Sequence, residues 1–393
     1  MQKIDWEKKY LVAVSGGPDS IFLLSSLISD KNFKHDNFIV CHVNYNYRED
    51  SRIDQKIVEE ICESNKIKLE IRILNEDYSN LGDNFENFAR VKRYDFFLEI
   101  SKKYKNFNTV LIAHNFNDLI ETFLIQKQRK NIVDFWGLKE TTFYKELIVF
   151  RPILDLKKSE IMKFLEVNKI DYAIDSTNFD EKFLRNKIRK EINEKDFGQI
   201  LKQIISENEE LTKNNDIAQN YLKNHSSDFH IYIKDIGKLS EKTQQIVIAK
   251  FLLKSEIGRN LAKSKKAIFK EIVKICQSKK PYVIMKKNDV VVLKDFEKVI
   301  ISDLKTLSPA TYSVKNNKAI LEKWGPEASE RIKNLDLNPD CYITNDYWQI
   351  KSKLYYKGKK LTKYYSEKKV GYFERMKNLY ILDKYKTIIL YIV

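Results

Sequence analysis

Between residues 10 and 113, four short apolar runs, YLVAV (10–14), FIVCHV (38–43), LEIRIL (69–74) and TVLIA (109–113), alternate with longer stretches of helical spacing. The runs are rich in Val, Ile and Leu. They carry too little polar alternation for a sheet with one wet face, so they read as strands of a buried parallel sheet. The intervening stretches, 19–29, 51–65 and 84–104, are amphipathic; in the last, Phe85, Phe88, Ala89, Phe96, Phe97, Ile100 and Tyr104 largely keep helical spacing. This β-α-β-α order predicts an α/β fold built on a doubly wound parallel sheet, with ligands beyond the carboxyl ends of its strands. Residues 15–20, 42–48 and 114–122 are thereby expected to be neighbours.

At 393 residues the chain exceeds one hydrophobic core. A helix is expected at 157–168, a polar helical connector at 200–225 and further helices at 241–278. Short β-type runs (YVIM, VVVL, VISDL) follow, and SPATYSVKNN (308–317) reads as a linker. The expected organisation is a catalytic domain over 1–200, a helical and mixed middle domain over 201–305, and a small basic α+β domain over 306–393. Charge follows the same division. Residues 1–200 hold 33 Lys+Arg against 33 Asp+Glu, residues 251–300 hold 13 against 5, and residues 351–393 hold 12 against 3, within a net charge of +16. A neutral front half followed by basic blocks implies chemistry in one place and a polyanion held by the other. In the last block, YYKGKKLTKYYSEKKVGYFERMK sets Lys for phosphates beside Tyr for stacking on exposed bases; a basic domain with a tyrosine core is the structural alternative. No apolar run reaches the roughly 18 residues of a membrane span, and the start MQKIDWEKKY has no secretory core, which predicts a soluble, cytoplasmic protein. Cys41, Cys62, Cys276 and Cys341 form no C-x-x-C pair, which argues against a zinc ribbon or dithiol centre.

SGGPDS (15–20) directly follows the first strand of a chain with only ten glycines. Paired glycines let the backbone turn sharply and approach a ligand. Pro18 suits the first position of a helix, where its missing N–H is no loss. Backbone N–H groups at a helix start form an anion site, most often for phosphate. The string is neither a Walker A loop nor G-x-G-x-x-G. Asp19 beside phosphates calls for a divalent cation between them, so the expected ligand of Ser15, Gly16, Gly17, Pro18, Asp19 and Ser20 is a nucleotide polyphosphate, with Mg²⁺ on Asp19. The alternative is a plain tight turn with an Asp near the helix dipole.

His114 follows the fourth strand, with Asp118 and Glu121 at i, i+3 on the next helix. Two carboxylates on one face at the ligand edge suit the ammonium group of an amino acid; metal ligation or helix-start carboxylates are the alternatives. Arg90 and Arg93 share a helix face, and Arg185 and Arg189, at i, i+4, form a two-pronged cationic clamp; solvated helix surface is the alternative for both pairs.

S-G-G-x-D-S after a strand resembles the PP-loop ATP pyrophosphatases, of the adenine-nucleotide α-hydrolase-like fold, which split ATP between its α and β phosphates. HVNYNYRED (42–50), NFENFARVKRY (84–94), AHNFNDLIET (113–122), RPILDLKKSEI (151–161) and DSTNFDEKFLRNKIR (175–189) occur in the order and spacing of the tRNA(Ile)-lysidine synthetase family, and 360–383 is similar to its C-terminal domain. The resemblance implies a ligase that adenylates carbon 2 of the wobble cytidine of a CAU-anticodon tRNA(Ile), then admits the ε-amino group of free lysine, giving lysidine, AMP and pyrophosphate. It makes the nucleotide at 15–20 ATP and places Asp19, Arg93 and His114 at the chemistry, Arg93 stabilising charge on the α phosphate, Arg185 and Arg189 on ATP, and lysine on Asp118 and Glu121. His114 is the candidate base for the lysine proton. Three departures stand out: Tyr45 where a second histidine is expected, Asn117 for the first acid of an acidic pair, and FWGLKE (135–140) for a glycine-richer loop. The rival implications are another PP-loop tRNA modifier, such as a thiolase, and a catalytically silent tRNA-binding protein.

Overall fold

In the computed structural model the described residues are 4–46, 51–76, 78, 85–129, 132–173, 188–189, 192–227, 230–262, 267–335, 337–352, 355–356, 358–383 and, as backbone, 388–392. They form two compact units, 1–209 and 210–393.

The first unit is built on a six-stranded sheet of β1 (Tyr10–Ala13), β2 (Phe38–Asn44), β3 (Lys68–Ile73), β4 (Thr109–Ile112), β5 (Thr141–Tyr144) and β6 (Leu147–Phe150), in the order β3-β2-β1-β4-β6-β5. All neighbours are parallel except the β5–β6 hairpin. Adjacent residues of one central strand enter opposite cores, which is the physical reason β1, β2 and β4 are largely apolar, whereas the edge strand β3 carries Lys68, Glu70 and Arg72. Val12, Val40 and Leu111 pack with α1 (Pro18–Ile28), α2 (Ser51–Ser64) and α5 (Lys158–Val167). Leu11, Ile39 and Val110 pack on the other face with Tyr94, Phe96, Phe97 and Ile100 of α3 (Phe85–Lys103). Each such fully buried side chain contributes about 1.5–3 kcal/mol.

The first four strands and the helices expected at 19–29, 51–65, 84–104 and 157–168 are all present within a residue or two. The β5–β6 hairpin carries no sequence signal, because its positive-φ turn residue is Lys145 (φ 52°) where Asn or Gly would announce it. Between β4 and β5 runs α4 (Phe116–Arg129), whose Leu119, Ile120 and Phe123 pack against Phe197 and Ile204 of the long helix α6 (Phe197–His225).

The second unit holds helices Glu241–Leu253, Glu256–Ala262 and Ala267–Gln277 against an antiparallel sheet of His230–Tyr232, Lys298–Asp303, Val290–Asp295 and Tyr282–Lys287. The segment read as a linker, 308–317, instead enters a second sheet through Thr311–Ser313, beside Tyr342–Thr344, Leu379–Leu382 and Ile388–Ile392. Val291 and Leu293 of the unit's first sheet form an apolar cluster with Leu307 and with Met376 of the helix Tyr372–Lys377. Asp295 also accepts from the backbone N–H groups of Tyr372 (2.9 Å) and Phe373 (3.0 Å), capping the helix Tyr372–Lys377. Among the described residues, no helix is long and apolar enough to cross a membrane.

Candidate active site

The chain passes from β1 to β2 on one side and returns to β4 on the other, so the crevice beside β1 at its carboxyl end is the topological switch point. A cavity of about 270 Å³ opens there. Its lining includes Ser15, Asp19 and Ser20 from the first loop and helix, Tyr45 after β2, Arg93 from α3, and His114 and Asp118 after β4. The three segments expected to be neighbours do meet.

The two loop glycines differ in what the fold asks of them. Gly16 has φ +94°, and a Cβ there would lie 3.0 Å from the backbone of Asp54, so a larger residue would be strained and crowded. Gly17 has φ −74°, and a Cβ would meet only Ser15 Oγ at 3.6 Å. Ser20, 6% exposed, braces the turn: its Oγ donates to Gly17 O (2.8 Å) and accepts from Ser15 N–H (3.2 Å). Gly17, with no side chain to cap it, precedes α1 and Pro18 opens it, while Ser15 Oγ accepts from Gly17 N–H at 3.5 Å. The helix therefore presents backbone donors and its positive dipole end toward the loop.

Asp19 holds a dense set of bonds. Lys158 Nζ lies 2.8 Å from each of its carboxylate oxygens, and Asn115 Nδ2 donates at 2.9 Å. Lys158 and Asn115 were not singled out from the sequence, although both lie inside quoted motifs; neither type announces chemistry by itself. Asp118 has a structural task as well. Its Oδ2 accepts from Asn115 N–H (3.0 Å) while Asn115 Oδ1 accepts from Asp118 N–H (3.1 Å), a reciprocal cap on α4. Its other oxygen lies 3.8 Å from Arg189 Nη2, and Arg189 Nε donates to Glu121 at 2.7 Å. The Glu121 side chain is only 5% exposed. The acidic pair thus holds a cation, Arg189. Arg185, with Asp175 and Asn178, lies outside the described residues.

Of the two arginines on α3, Arg93 lines the cavity, its Nε buried without a hydrogen-bond partner among the described residues. Arg90 is exposed and stacks over Tyr94, and Lys92 pairs with Glu76 at 2.6 Å. The Tyr45 hydroxyl donates to Ala89 O (2.9 Å); burial raises its pKa, and the Arg93 guanidinium opposes that shift. Asn117 is tied into the scaffold: its Oδ1 accepts from Lys158 N–H (2.9 Å) at the start of α5, and its Nδ2 donates to Glu194 (3.2 Å). An aspartate could not make that second bond. His42, 2% exposed, donates from Nδ1 to Val14 O at 2.9 Å, behind the loop.

His114 Nδ1 accepts from Arg151 Nε at 3.0 Å. Arg151 is 3% exposed and follows β6; sequence reading passed over it, since an Arg before Pro reads as a strand end.

All four cysteines are free and buried. Cys41 borders the cavity, but burial, with Glu70 adding to it, pushes its thiol far up, and burial holds Cys62 and Cys276 at about 12. Nothing here favours sulfur chemistry. Of the interleaved tyrosines in the second unit, Tyr365 is buried, its hydroxyl 2.7 Å from that of buried Tyr380, while Tyr356, Tyr364 and Tyr372 are half-buried against the same cluster. Trp348 and Tyr355 are exposed, and Lys351 Nζ stands 4.2 Å over the Trp348 ring.

Residues 1–196 match the ATP_bind_3 family, a PP-loop domain. The tRNA(Ile)-lysidine synthase of Mycoplasma mycoides subsp. mycoides SC is 41% identical over 98% of this chain and 98% of its own. That of Mesoplasma florum is 41% identical over 95% of this chain and 94% of its own. The Ureaplasma parvum enzyme of the same name is 44% identical over 47% of this chain and 54% of its own. With relatives matched along nearly its whole length, and with a parallel sheet that carries the PP-loop at its switch point, the chain belongs to the tRNA(Ile)-lysidine synthase family of PP-loop ligases.

Proposed function

We propose that the chain converts the wobble cytidine of a CAU-anticodon tRNA(Ile) to lysidine in the cytoplasm, consuming ATP and free L-lysine. The carrying observation is the switch-point cavity, where the uncapped start of α1, Asp19, Arg93, His114 and Asp118 converge. In the first step the carbonyl oxygen at carbon 2 of cytidine attacks the α phosphate, and pyrophosphate leaves. In the second the lysine ε-amino group attacks carbon 2 and AMP leaves.

The residues divide this work by charge. Backbone donors of the loop other than Ser15, whose N–H is bonded to Ser20, and Pro18, which has none, receive the triphosphate, and Gly17, which the fold does not require to be glycine, leaves room for it. Among the described residues no cluster of three or more ligands could hold a metal alone. A single carboxylate, Asp19, would fit Mg²⁺, which takes one or two carboxylates and completes its shell with phosphates and water, provided that Lys158 Nζ, 2.8 Å from both of its oxygens, gives way to the ion. When bound, Mg²⁺ would offset phosphate charge during pyrophosphate departure. Arg93, which lines the cavity, carries a guanidinium suited to charge that develops on the α phosphate. Asp118 and Glu121, which hold the Arg189 guanidinium, have the charge and spacing to take the lysine ammonium in exchange, and Arg189, with Arg185, then serves the phosphates.

Nucleoside analysis of CAU-anticodon tRNA(Ile) treated with the protein, ATP, Mg²⁺ and labelled lysine tests the reading. Labelled lysidine should form only with ATP, with one AMP and one pyrophosphate per residue, and Asp19→Ala or Asp118→Ala should abolish it. Tight tRNA binding without lysidine would leave a silent tRNA-binding protein.

A further inference from the structure

We propose that Arg151 is a positioning residue that holds His114 as a neutral imidazole with its proton on Nε2, so that His114 serves as a hydrogen-bond donor and not as the base that deprotonates lysine. The geometry fixes the direction of the bond. Arg151 Nε lies 3.0 Å from His114 Nδ1, and a guanidinium has donors but no acceptor, so Nδ1 must present its lone pair. The remaining ring nitrogen then carries the proton.

The arrangement is rigid. Arg151 follows β6, the parallel neighbour of β4, where Leu111 pairs with Phe150. Its Nη1 donates to Lys139 O (2.7 Å) and Thr142 Oγ1 (3.1 Å), and its backbone N–H to Glu140 O (3.0 Å). The His114 backbone is pinned to Ile112 O at 2.9 Å. To accept a proton, His114 would have to take it on Nδ1, giving up the bond to Arg151 and placing two cations 3.0 Å apart. A neutral Nε2–H on a cavity-lining ring is suited instead to an oxygen on which negative charge develops, as a polarising imidazole.

The tautomer is testable without any substrate, while its catalytic consequence rests on the lysidine-forming reading. Long-range ¹H–¹⁵N correlation spectra of the full-length protein with ¹⁵N-histidine, assigned by the signals lost in His114→Gln, should show His114 as the neutral Nε2–H tautomer near neutral pH. Arg151→Met should redistribute it toward a tautomer mixture. In turnover, Arg151→Met should lower kcat on the order of 10–100-fold, leaving KM for lysine within about twofold, and Arg151→Lys should recover part of the loss. An Nδ1–H tautomer or an imidazolium in the wild-type spectrum overturns the inference whether or not the variants fold. An unchanged kcat in folded Arg151→Met overturns the positioning role. Wild-type protein that makes no lysidine overturns the reaction instead, and the spectrum alone then decides the tautomer.

Discussion

The paired glycines of the loop answer to different demands, and substitution separates them. Gly16→Ala places a methyl against Asp54 in a backbone conformation that L-residues avoid, and should cost about 1–3 kcal/mol in urea unfolding. Gly17→Ala meets no such obstacle and should stay within about 0.5 kcal/mol of wild type, while ATP affinity, read by equilibrium binding, falls. Equal destabilisation of both would return Gly17 to a purely structural role. The arginines of α3 divide similarly. Arg93→Ala removes the cavity donor and should lower kcat for lysidine formation about 10²–10³-fold. Arg90→Ala removes an exposed side chain stacked on Tyr94 and should leave turnover near wild type. Both arginines were legible as a cationic pair; which of them meets the cavity depends on how α3 rotates against the sheet, and no local pattern records that.

At the level of elements, strand and helix patterns are strong where both faces of the sheet are buried, because every strand residue must then be apolar. The reading weakens where a tie is made by one polar side chain. Asn117 joins α4, α5 and Glu194 by donating with one atom and accepting with another. From sequence it read only as a missing acid. Asn117→Asp should lose the bond to Glu194 and set two carboxylates together, lowering stability by about 1–3 kcal/mol in denaturant titrations. A more stable variant would sink this account. The hairpin of β5 and β6 carries no glycine or asparagine signal because Lys145 holds its positive φ, yet its Thr142, with Lys139 just before it, holds Arg151.

For the whole molecule, two solution properties follow from charge and burial. The excess of Lys and Arg lies after residue 250, so tRNA affinity should drop steeply with salt, by roughly 10³–10⁵ between 50 and 200 mM if 6–10 phosphates are contacted. A shallow slope in filter binding would exclude an electrostatic grip of that size. Acid should also weaken the fold. Burial lowers the pKa of His42, against the opposing effects of Val14 O and Glu59, so the folded state binds fewer protons than the unfolded chain. Its stabilisation is intact above the ordinary histidine value of about 6.5 and is lost as pH falls below it toward the folded value, at about 1.4 kcal/mol per pH unit at most. Urea unfolding at pH 7.5 and 5.5 should show a smaller acid loss in His42→Gln than in wild type.

The chain by itself determined the alternation of buried strands and helices and the anion-binding turn after the first strand, because both rest on local backbone chemistry: two-sided burial demands apolar runs, and a turn at φ +94° demands glycine. Tertiary structure alone decided the partners, since Lys158 on Asp19, Arg189 on Asp118 and Glu121, and Arg151 on His114 each join residues 37 to 139 positions apart. A charge's partner depends on which helix face and which sheet neighbour it meets, and that is settled only when the crossover connections lay distant segments side by side.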